Sequence, residues 1–192
     1  MIATGFVKAG VKVYATSRKA DACEAIQAKL SEFGECIAHP SDLSTHEGVS
    51  AFADWLSERE DKIDILVNNA GAAWGEPIET FSEQGWDRVM DLNVKSLFFL
   101  TQKLLPQLRA AAAESGRGRV INIGSIEGFT MPMAPGNFAY PASKAAVHHL
   151  TRSLARELAP DQITVNAISP GPFESKMTAY AMGTEEGKKM VG

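Results

Sequence analysis

The chain has 192 residues, of which 45% are hydrophobic and 22% charged, and its formal net charge is −4. This length and balance fit one globular domain, 1–192, with a sizeable core. The acidic balance gives no basic surface for nucleic acid, and no apolar run reaches the roughly 18 residues of a membrane helix. Cys23 and Cys36 are too few for a disulfide framework or a metal site. Because the N-terminus lacks a signal-peptide pattern, we expect a cytoplasmic protein.

The N-terminal segment combines a short helix with a strand. Apolar spacing predicts a helix over 1–9 that stops at Gly10, and the run 11–16 is the first strand signal. A Ser-Arg-Lys turn at 17–19 follows this strand. The end of the first predicted strand is therefore polar and basic.

A second helix and a second strand are predicted over 22–33 and 35–39. The loop that follows the second strand carries Asp42, whose side chain can bond the local turn. We expect Ser44 to cap the next helix, with Glu47 three residues later completing a capping box.

The middle of the chain pairs a buried strand with a long helical stretch. The apolar run 63–67 predicts a central strand, which leads into an Asn-Asn-Ala-Gly sequence beginning at Asn68. Small residues there let a backbone approach a ligand. The spacing over 82–113 predicts a largely helical stretch with a kink at Pro106. Asn93 stands on its apolar face, where an asparagine usually satisfies a backbone group.

A serine, a tyrosine and a lysine are predicted to converge. The β-branched run 120–123 predicts a buried strand that ends just before Ser125, which places the hydroxyl where open α/β sheets bind ligands. Tyr140 and Lys144 lie four apart at the start of a helical pattern, so they share one face. An ammonium within about 4–6 Å favours a phenolate, and a serine hydroxyl can stabilise a carbonyl oxygen that gains charge. This set suits hydride transfer to a ketone, although Tyr-x-x-x-Lys also occurs where a helix buries the ring and solvates the lysine.

The final predicted strand, 163–168, is closed by Pro170 and Gly171. The composition of 173–192, with Met177, Tyr180 and Met182, fits a mobile substrate loop. The alternating order of helices and strands predicts a parallel α/β sheet.

Together, these motifs resemble the short-chain dehydrogenase/reductase family: Asn68-Asn69-Ala70-Gly71, Asn93, Ser125, Tyr140-x-x-x-Lys144 and Pro170-Gly171. One spacing departs from the family, because Ser125 precedes Tyr140 by two residues more than is usual. We assign the extra residues to the loop 130–137. This longer loop, the Ile-Asn-Ile-Gly-Ser sequence and the Trp-Gly and Gly-Trp pairs at 74–86 are most similar to 3-ketoacyl thioester reductases of the rhamnolipid-type branch.

The resemblance implies a Rossmann-like doubly wound parallel sheet and a role for each motif. It places Asp42 and Leu43 at the adenine ring of a dinucleotide, and Asn68, Ala70 and Gly71 along a wall of the cofactor site.

It also implies that Pro170 and Gly171 cover the nicotinamide carboxamide. Tyr140 is implied to protonate the substrate oxygen and Ser125 to orient it. Lys144 would bind the nicotinamide ribose beside Tyr140 and lower the tyrosine pKa, and Asn93 would hold a water that relays protons to the lysine.

The turn after the first strand bears on the choice of cofactor. An acidic residue there would bind a ribose 2′-hydroxyl, whereas Ser17 and Arg18 suit a 2′-phosphate, so we expect NADPH. The alternative is that Arg18 and Lys19 form an exposed turn without this role.

The family's first strand, its glycine-rich turn and its last strand have no counterpart in this sequence. Two hypotheses follow: an NADPH-dependent carbonyl reductase, or a non-enzymatic truncated fragment that cannot bind cofactor. In-frame sequence upstream of Met1 would discriminate between them. The missing first strand predicts that 11–16 and 63–67 flank a gap in the sheet. For the full-length protein, the apolar face of the helical stretch 82–113 predicts a homodimer or homotetramer.

Overall fold

The computed structural model describes residues 1–132 and 134–172, and the chain divides into two compact units, Met1–Arg59 and Glu60–Gly192. In the first unit, helices and strands alternate: α1 (Ile2–Lys8), β1 (Val13–Ser17), α2 (Ala20–Ser31), β2 (Cys36–Pro40) and α3 (His46–Ser57). The predicted strands and helices are thus confirmed, with shifts of a few residues at their ends. Gly10 follows α1 at φ 80°, a backbone conformation that glycine adopts without strain.

The two strands of the first unit pair in parallel, with Val13 opposite Cys36. An apolar cluster buries Val7, Leu30 and Cys36. A separate aromatic group stacks the ring of His39 on Trp55, with ring centroids 4.3 Å apart. The strand pairing ends with Ser17 opposite Pro40, so the carboxyl ends of β1 and β2 lie side by side.

The predicted capping box before α3 is wrong. Thr45 is the N-cap, and its hydroxyl accepts a hydrogen bond from the Gly48 amide at 3.0 Å. Ser44 is diverted because its hydroxyl donates to Asp42 Oδ1 at 2.7 Å. Gly48 is required by the same turn, since a Cβ there would collide with the Asp42 carbonyl oxygen.

The described part of the second unit holds three strands and four α-helices: β3 (Ile65–Asn68), α4 (Glu83–Met90), α5 (Ser96–Lys103), α6 (Leu105–Ser115), β4 (Gly118–Ile123), α7 (Ala139–Leu158) and β5 (Ile163–Ile168). Its strands are parallel in the order β3-β4-β5. Asn68 pairs with Asn122, and Ile123 pairs with Ile168. The carboxyl ends of all three strands therefore meet at one edge of this sheet.

The predicted helical stretch 82–113 is divided into separate pieces. Ser82 caps α4 by accepting a hydrogen bond from the Gly85 amide at 3.1 Å. A π-helical turn, Asp91–Lys95, separates α4 from α5 and contains Asn93. Pro106 starts α6 rather than kinking a continuous helix, because proline lacks the N–H that a helix interior requires but the first turn does not.

The described strands form two sheets, each within one unit: β1 pairs with β2, and β4 pairs with both β3 and β5. Among these described strands, β4 is therefore the middle one of its sheet, whereas the strand predicted as central, 63–67, lies at an edge of it. The parallel pairing that the sequence predicts is confirmed in both sheets. The single domain 1–192 stays a prediction. Within the described part of the chain, no helix is long and apolar enough to cross a membrane.

Candidate active site

Helix α7 presents Tyr140 and Lys144 on the same face, as predicted. They are four positions apart in the helix, and Lys144 Nζ lies 5.6 Å from the centroid of the Tyr140 ring. A positive charge at this distance favours the ionised form of a phenol. The pair therefore has the electrostatic arrangement that a tyrosine acid requires.

Lys144 is buried although it carries an ammonium group, with 5% of its surface exposed. Its Nζ donates a hydrogen bond to the carbonyl oxygen of Ile123, the last residue of β4, at 2.7 Å. Burial lowers the pKa of Lys144 to about 8. The amine is therefore poised close to neutral pH, and it joins α7 to the end of the strand that leads to Ser125.

Ser125 lies two residues beyond the end of β4 and is buried. Its hydroxyl oxygen accepts a hydrogen bond from the Glu127 amide at 3.2 Å, which caps a short 3-10 turn, Ile126–Gly128. On the preceding residue, the Gly124 amide donates to the Ile168 carbonyl at 2.7 Å. The predicted position of the serine, at the carboxyl end of the strand 120–123, is confirmed.

Asn93 is buried in the π-helical turn, with 2% of its surface exposed. Its amide nitrogen donates to the Ala72 carbonyl and to Ser143 Oγ, both at 2.9 Å, and its amide oxygen accepts from the Ala72 N–H at 2.8 Å. The Asn93 side chain thus clamps the loop after β3 to α7. Its predicted part in a proton relay stays a prediction.

The Asn-Asn-Ala-Gly loop divides into an interior and an exposed part. The amide of buried Asn68 donates to Thr101 Oγ1 at 3.1 Å and to Asn122 Oδ1 at 2.9 Å. Asn122 in turn donates to Thr151 Oγ1 at 2.9 Å. This chain of hydrogen bonds therefore joins α5 to β3 and β4, and β4 to α7.

Ala70 and Gly71 are exposed. A Cβ at Gly71 would lie 3.8 Å from Lys144 Nζ and 3.4 Å from Asn93 Oδ1. The absence of a side chain at Gly71 leaves space beside the buried Lys144 amine. The predicted role of Asn68, Ala70 and Gly71 as a wall of the cofactor site stays a prediction.

Pro170 and Gly171 follow β5 at the same sheet edge. The Pro170 carbonyl accepts a hydrogen bond from the Ile126 amide at 3.2 Å, which ties this turn to the turn after Ser125. Gly171 is exposed, and a Cβ there would meet no heavy atom within 4 Å. The structure thus brings the Pro-Gly turn to the serine turn.

In the first unit, Ser17 and Arg18 are exposed at the end of β1. The pKa of Asp42 is lowered by the hydrogen bond from the Ser44 hydroxyl, with a smaller contribution from the positive charge of Arg18. Leu43 is buried, so its side chain contributes to packing. The predicted adenine and phosphate contacts of these residues stay predictions.

A backbone hydrogen bond joins the longer loop 130–137 to the segment after β3. The Glu76 amide donates to the Gly136 carbonyl at 3.2 Å, and Gly136 has φ 74°. The predicted substrate loop, 173–192 with Met177, Tyr180 and Met182, lies outside the described residues.

Three buried residues at this site were not singled out in the sequence: Asn122, Ser143 and His148. Asn122 had a signal, since a polar residue inside the predicted strand 120–123, whose other residues are valine and isoleucine, needs a buried partner. Ser143 and His148 had none, because a helical pattern does not distinguish a buried polar position from a surface position.

A family model described as short chain dehydrogenase matches residues 1–186. The chain belongs to the short-chain dehydrogenase family. Its α/β fold with parallel strands is accordingly of the Rossmann-like class.

Among curated proteins, the chain is 46% identical over 180 residues to a rhamnolipids biosynthesis 3-oxoacyl-(acyl-carrier-protein) reductase of Pseudomonas aeruginosa, covering 94% of this chain and 70% of that protein. It is 36% identical over 150 residues to a cyclopentanol dehydrogenase of a Comamonas species, covering 78% of this chain and 58% of that protein.

Two solved structures are also similar. A Pseudomonas aeruginosa RhlG/NADP active-site complex matches with a TM-score of 0.91 and 44% identity, covering 97% of this chain and 72% of the other. An NADH-dependent reductase A1-R′ complexed with NAD matches with a TM-score of 0.81 and 33% identity, covering 88% of this chain and 72% of the other.

Proposed function

We propose that this protein is an NADP-dependent oxidoreductase that reduces a carbonyl group to an alcohol. The observation that carries the proposal is the buried Lys144, whose Nζ lies against the Tyr140 ring while it bonds the Ile123 carbonyl at the strand end before Ser125. One ammonium therefore connects the candidate acid to the element that carries the candidate hydroxyl donor.

Each residue has a distinct task in this proposal. Tyr140 gives its phenolic proton to the substrate oxygen, and Ser125 donates a hydrogen bond to that oxygen as it gains negative charge. Lys144 lowers the pKa of the tyrosine by its charge and binds the nicotinamide ribose with N–H groups beyond the one that bonds Ile123. Asn93 keeps the loop at Ala72 in place and, as the family implies, supports proton supply to the lysine. The bound nicotinamide cofactor supplies the hydride.

The residues around Lys144 support the proposal of a nicotinamide ribose at this site. The space that Gly71 leaves beside Lys144 Nζ suits a ribose, and Pro170 with Gly171 supplies an exposed turn near Ser125. By the family resemblance, Asn68 and Ala70 are assigned to the same wall. The resemblance likewise assigns Asp42 and Leu43 to the adenine ring.

The preference for NADP rests on Ser17 and Arg18. The similar structures include both an NADP complex and an NAD complex, so family membership alone does not decide the choice. An exposed guanidinium at the end of β1 can bind a 2′-phosphate with two hydrogen bonds, whereas NAD offers only a hydroxyl there.

The proposed substrate class is a 3-oxoacyl thioester. The Pseudomonas aeruginosa relative is named for a 3-oxoacyl substrate. The two segments that suggested this branch in the sequence contact each other, through the Glu76 amide and the Gly136 carbonyl. Both segments follow strands of the sheet that carries Ser125.

We extend the proposal to domain and assembly. The family match spans both compact units, which supports a single domain over 1–192. A homodimer or homotetramer acting in the cytoplasm on a small-molecule substrate completes the proposal.

The direct test has two parts, and both use the full-length protein. NADPH binding is measured by calorimetry, and NADPH oxidation is then followed with 3-oxoacyl thioesters, simple ketones and cyclopentanone. We expect binding and a preference for the thioester. A folded protein that binds no NADPH would favour the alternative, a non-enzymatic fragment. Binding with turnover of simple ketones alone would support a carbonyl reductase but contradict the proposed thioester substrate.

A further inference from the structure

His148 is a buried histidine that the proposed chemistry does not use. It lies one helical turn beyond Lys144 on α7, and 7% of its surface is exposed. Its neighbour His149 is exposed and within 3.2 Å of an Arg152 nitrogen. The two adjacent histidines therefore have different environments, and only the first faces the end of β4.

The ring of His148 occupies space that two glycines leave open. A Cβ at Gly128 would lie 2.5 Å from Cδ2 of the ring, and a Cβ at Gly124 would collide with Cε1. Neither glycine has a positive φ. Because their backbone conformations suit any residue, their lack of a side chain serves the close approach of the ring. The imidazole is thus wedged between the residues before and after the segment 125–127.

One polar contact fixes the ring to the serine itself. His148 Nε2 lies 2.9 Å from the carbonyl oxygen of Ser125. A carbonyl oxygen only accepts, so Nε2 must carry the proton. The Gly128 amide donates to the same oxygen at 3.1 Å. Phe129 stacks on the imidazole with ring centroids 4.0 Å apart, which leaves the ring little freedom to turn.

Helix α7 therefore holds the strand end at two alternate carbonyl groups. Lys144 donates to the oxygen of Ile123, and His148 donates to the oxygen of Ser125. The helix that carries Tyr140 thus also fixes the backbone of the separate segment that carries the serine hydroxyl. A small displacement between an acid and a hydrogen-bond donor can cost a large factor in rate.

We infer that His148 is a positioning residue, which sets the place of Ser125 relative to Tyr140 and Lys144 through the hydrogen bond from its Nε2–H to the Ser125 carbonyl. The inference rests on the proposed function for its effect on rate. The hydrogen bond itself is independent of that function.

The first test requires no activity. Long-range ¹H–¹⁵N correlation spectra of the protein report which ring nitrogen of His148 carries a proton. We expect the Nε2–H form for His148, and a change in the Ser125 carbonyl ¹³C shift in His148→Leu that is largely reversed in His148→Gln, whose amide nitrogen can donate in place of Nε2. A proton on Nδ1 alone would overturn the inference, whether or not the protein is a reductase.

The second test measures coupling to the serine. We expect His148→Leu to lower kcat about tenfold, with less than about a twofold change in the Kd for NADPH, and His148→Gln to restore most of the rate. His149→Leu is the matched control and should leave both values unchanged. In a Ser125→Ala background, His148→Leu should cost less than about twofold, because the hydroxyl that it positions is gone.

An equal loss of kcat in both backgrounds would mean that His148 serves the fold in general, and would overturn the inference. If His148→Leu does not fold, His148→Ala replaces it in the spectra: a change in the Ser125 carbonyl ¹³C shift as large in His148→Gln as in His148→Ala would also overturn the inference.

Discussion

The residues around the end of β4 and those at the end of β1 are held in opposite ways. Around the end of β4, the residues Asn93, Ser125 and Lys144 are buried, and the side chain of each forms at least one hydrogen bond within the protein. At the end of β1, Ser17 and Arg18 are exposed. Groups that move protons need fixed geometry, whereas a charged side chain that selects a phosphate can adapt to it. Substitutions should therefore have large, specific effects at the first place and smaller, additive effects at the second.

The largest effect is expected for Tyr140→Phe. The change removes only the phenolic O–H, and a general acid is worth roughly 10²–10⁴ in rate. We expect kcat to fall by at least about a hundredfold, while the Kd for NADPH changes little. NADPH oxidation and calorimetry measure the two values. Tyr14→Phe, which removes a phenolic O–H from β1, serves as the control. A Tyr140→Phe protein that keeps more than about a tenth of kcat would identify another residue as the acid.

Lys144→Met tests what it costs to bury the ammonium. Burial lowers the pKa of Lys144 from 10.5 to about 8, so between these pH values the unfolded chain binds a proton that the folded chain has lost. The contribution of Lys144 to the free energy of unfolding of the wild type should therefore rise with pH across that window. Methionine fills similar volume without charge. We expect the variant to be more stable at pH 7 by about 1–3 kcal/mol, with the difference shrinking toward pH 10.

Urea unfolding at several pH values measures this difference. Lys95→Met is the control, since Lys95 is exposed and paired with Asp91 at 3.2 Å. If wild type and Lys144→Met show parallel pH dependence, the amine is not desolvated as the structure indicates.

Sequence patterns predicted the elements that periodicity determines. The strand 163–168 and the placement of Tyr140 and Lys144 on one helical face are confirmed, because side-chain spacing alone fixes them. The capping box at Ser44 failed because a local bond to Asp42 competed for the hydroxyl. The π-helical turn at Asn93 was not predicted, since it depends on contacts to Ala72 and Ser143 that are far apart in the chain.

The same limit applies to the site. The sequence indicated the residues that carry chemistry but not the residues that hold them, such as His148. The role of His148 follows only from its contacts in the fold, because its ring packs against Gly124 and Gly128, which lie far from it in the chain.

Gly136→Ala tests the contact between the longer loop and the segment after β3. Gly136 has φ 74°, and a Cβ there would lie 2.6 Å from the Glu76 carbonyl oxygen. We expect a loss of stability of about 1–3 kcal/mol, because both the backbone conformation and the contact are affected. Gly5→Ala is the matched control: Gly5 lies within α1, and a Cβ there would meet no heavy atom within 4 Å, so alanine should be neutral or stabilising. Equal effects in urea unfolding would show that the loop contact carries no stability.

The smallest effect is expected at the exposed end, for Arg18→Ala. The guanidinium is proposed to bind the 2′-phosphate, which only NADPH carries, so its loss should weaken NADPH by about tenfold and NADH by less than about twofold. Calorimetric titration of both cofactors measures the ratio, with Lys29→Ala on the exposed surface of α2 as the control. Raising the salt concentration should reduce the advantage of the wild type for NADPH, because an exposed ion pair is screened. Equal losses for both cofactors would remove Arg18 from phosphate recognition. Recognition of the NADP 2′-phosphate would then require another cationic side chain.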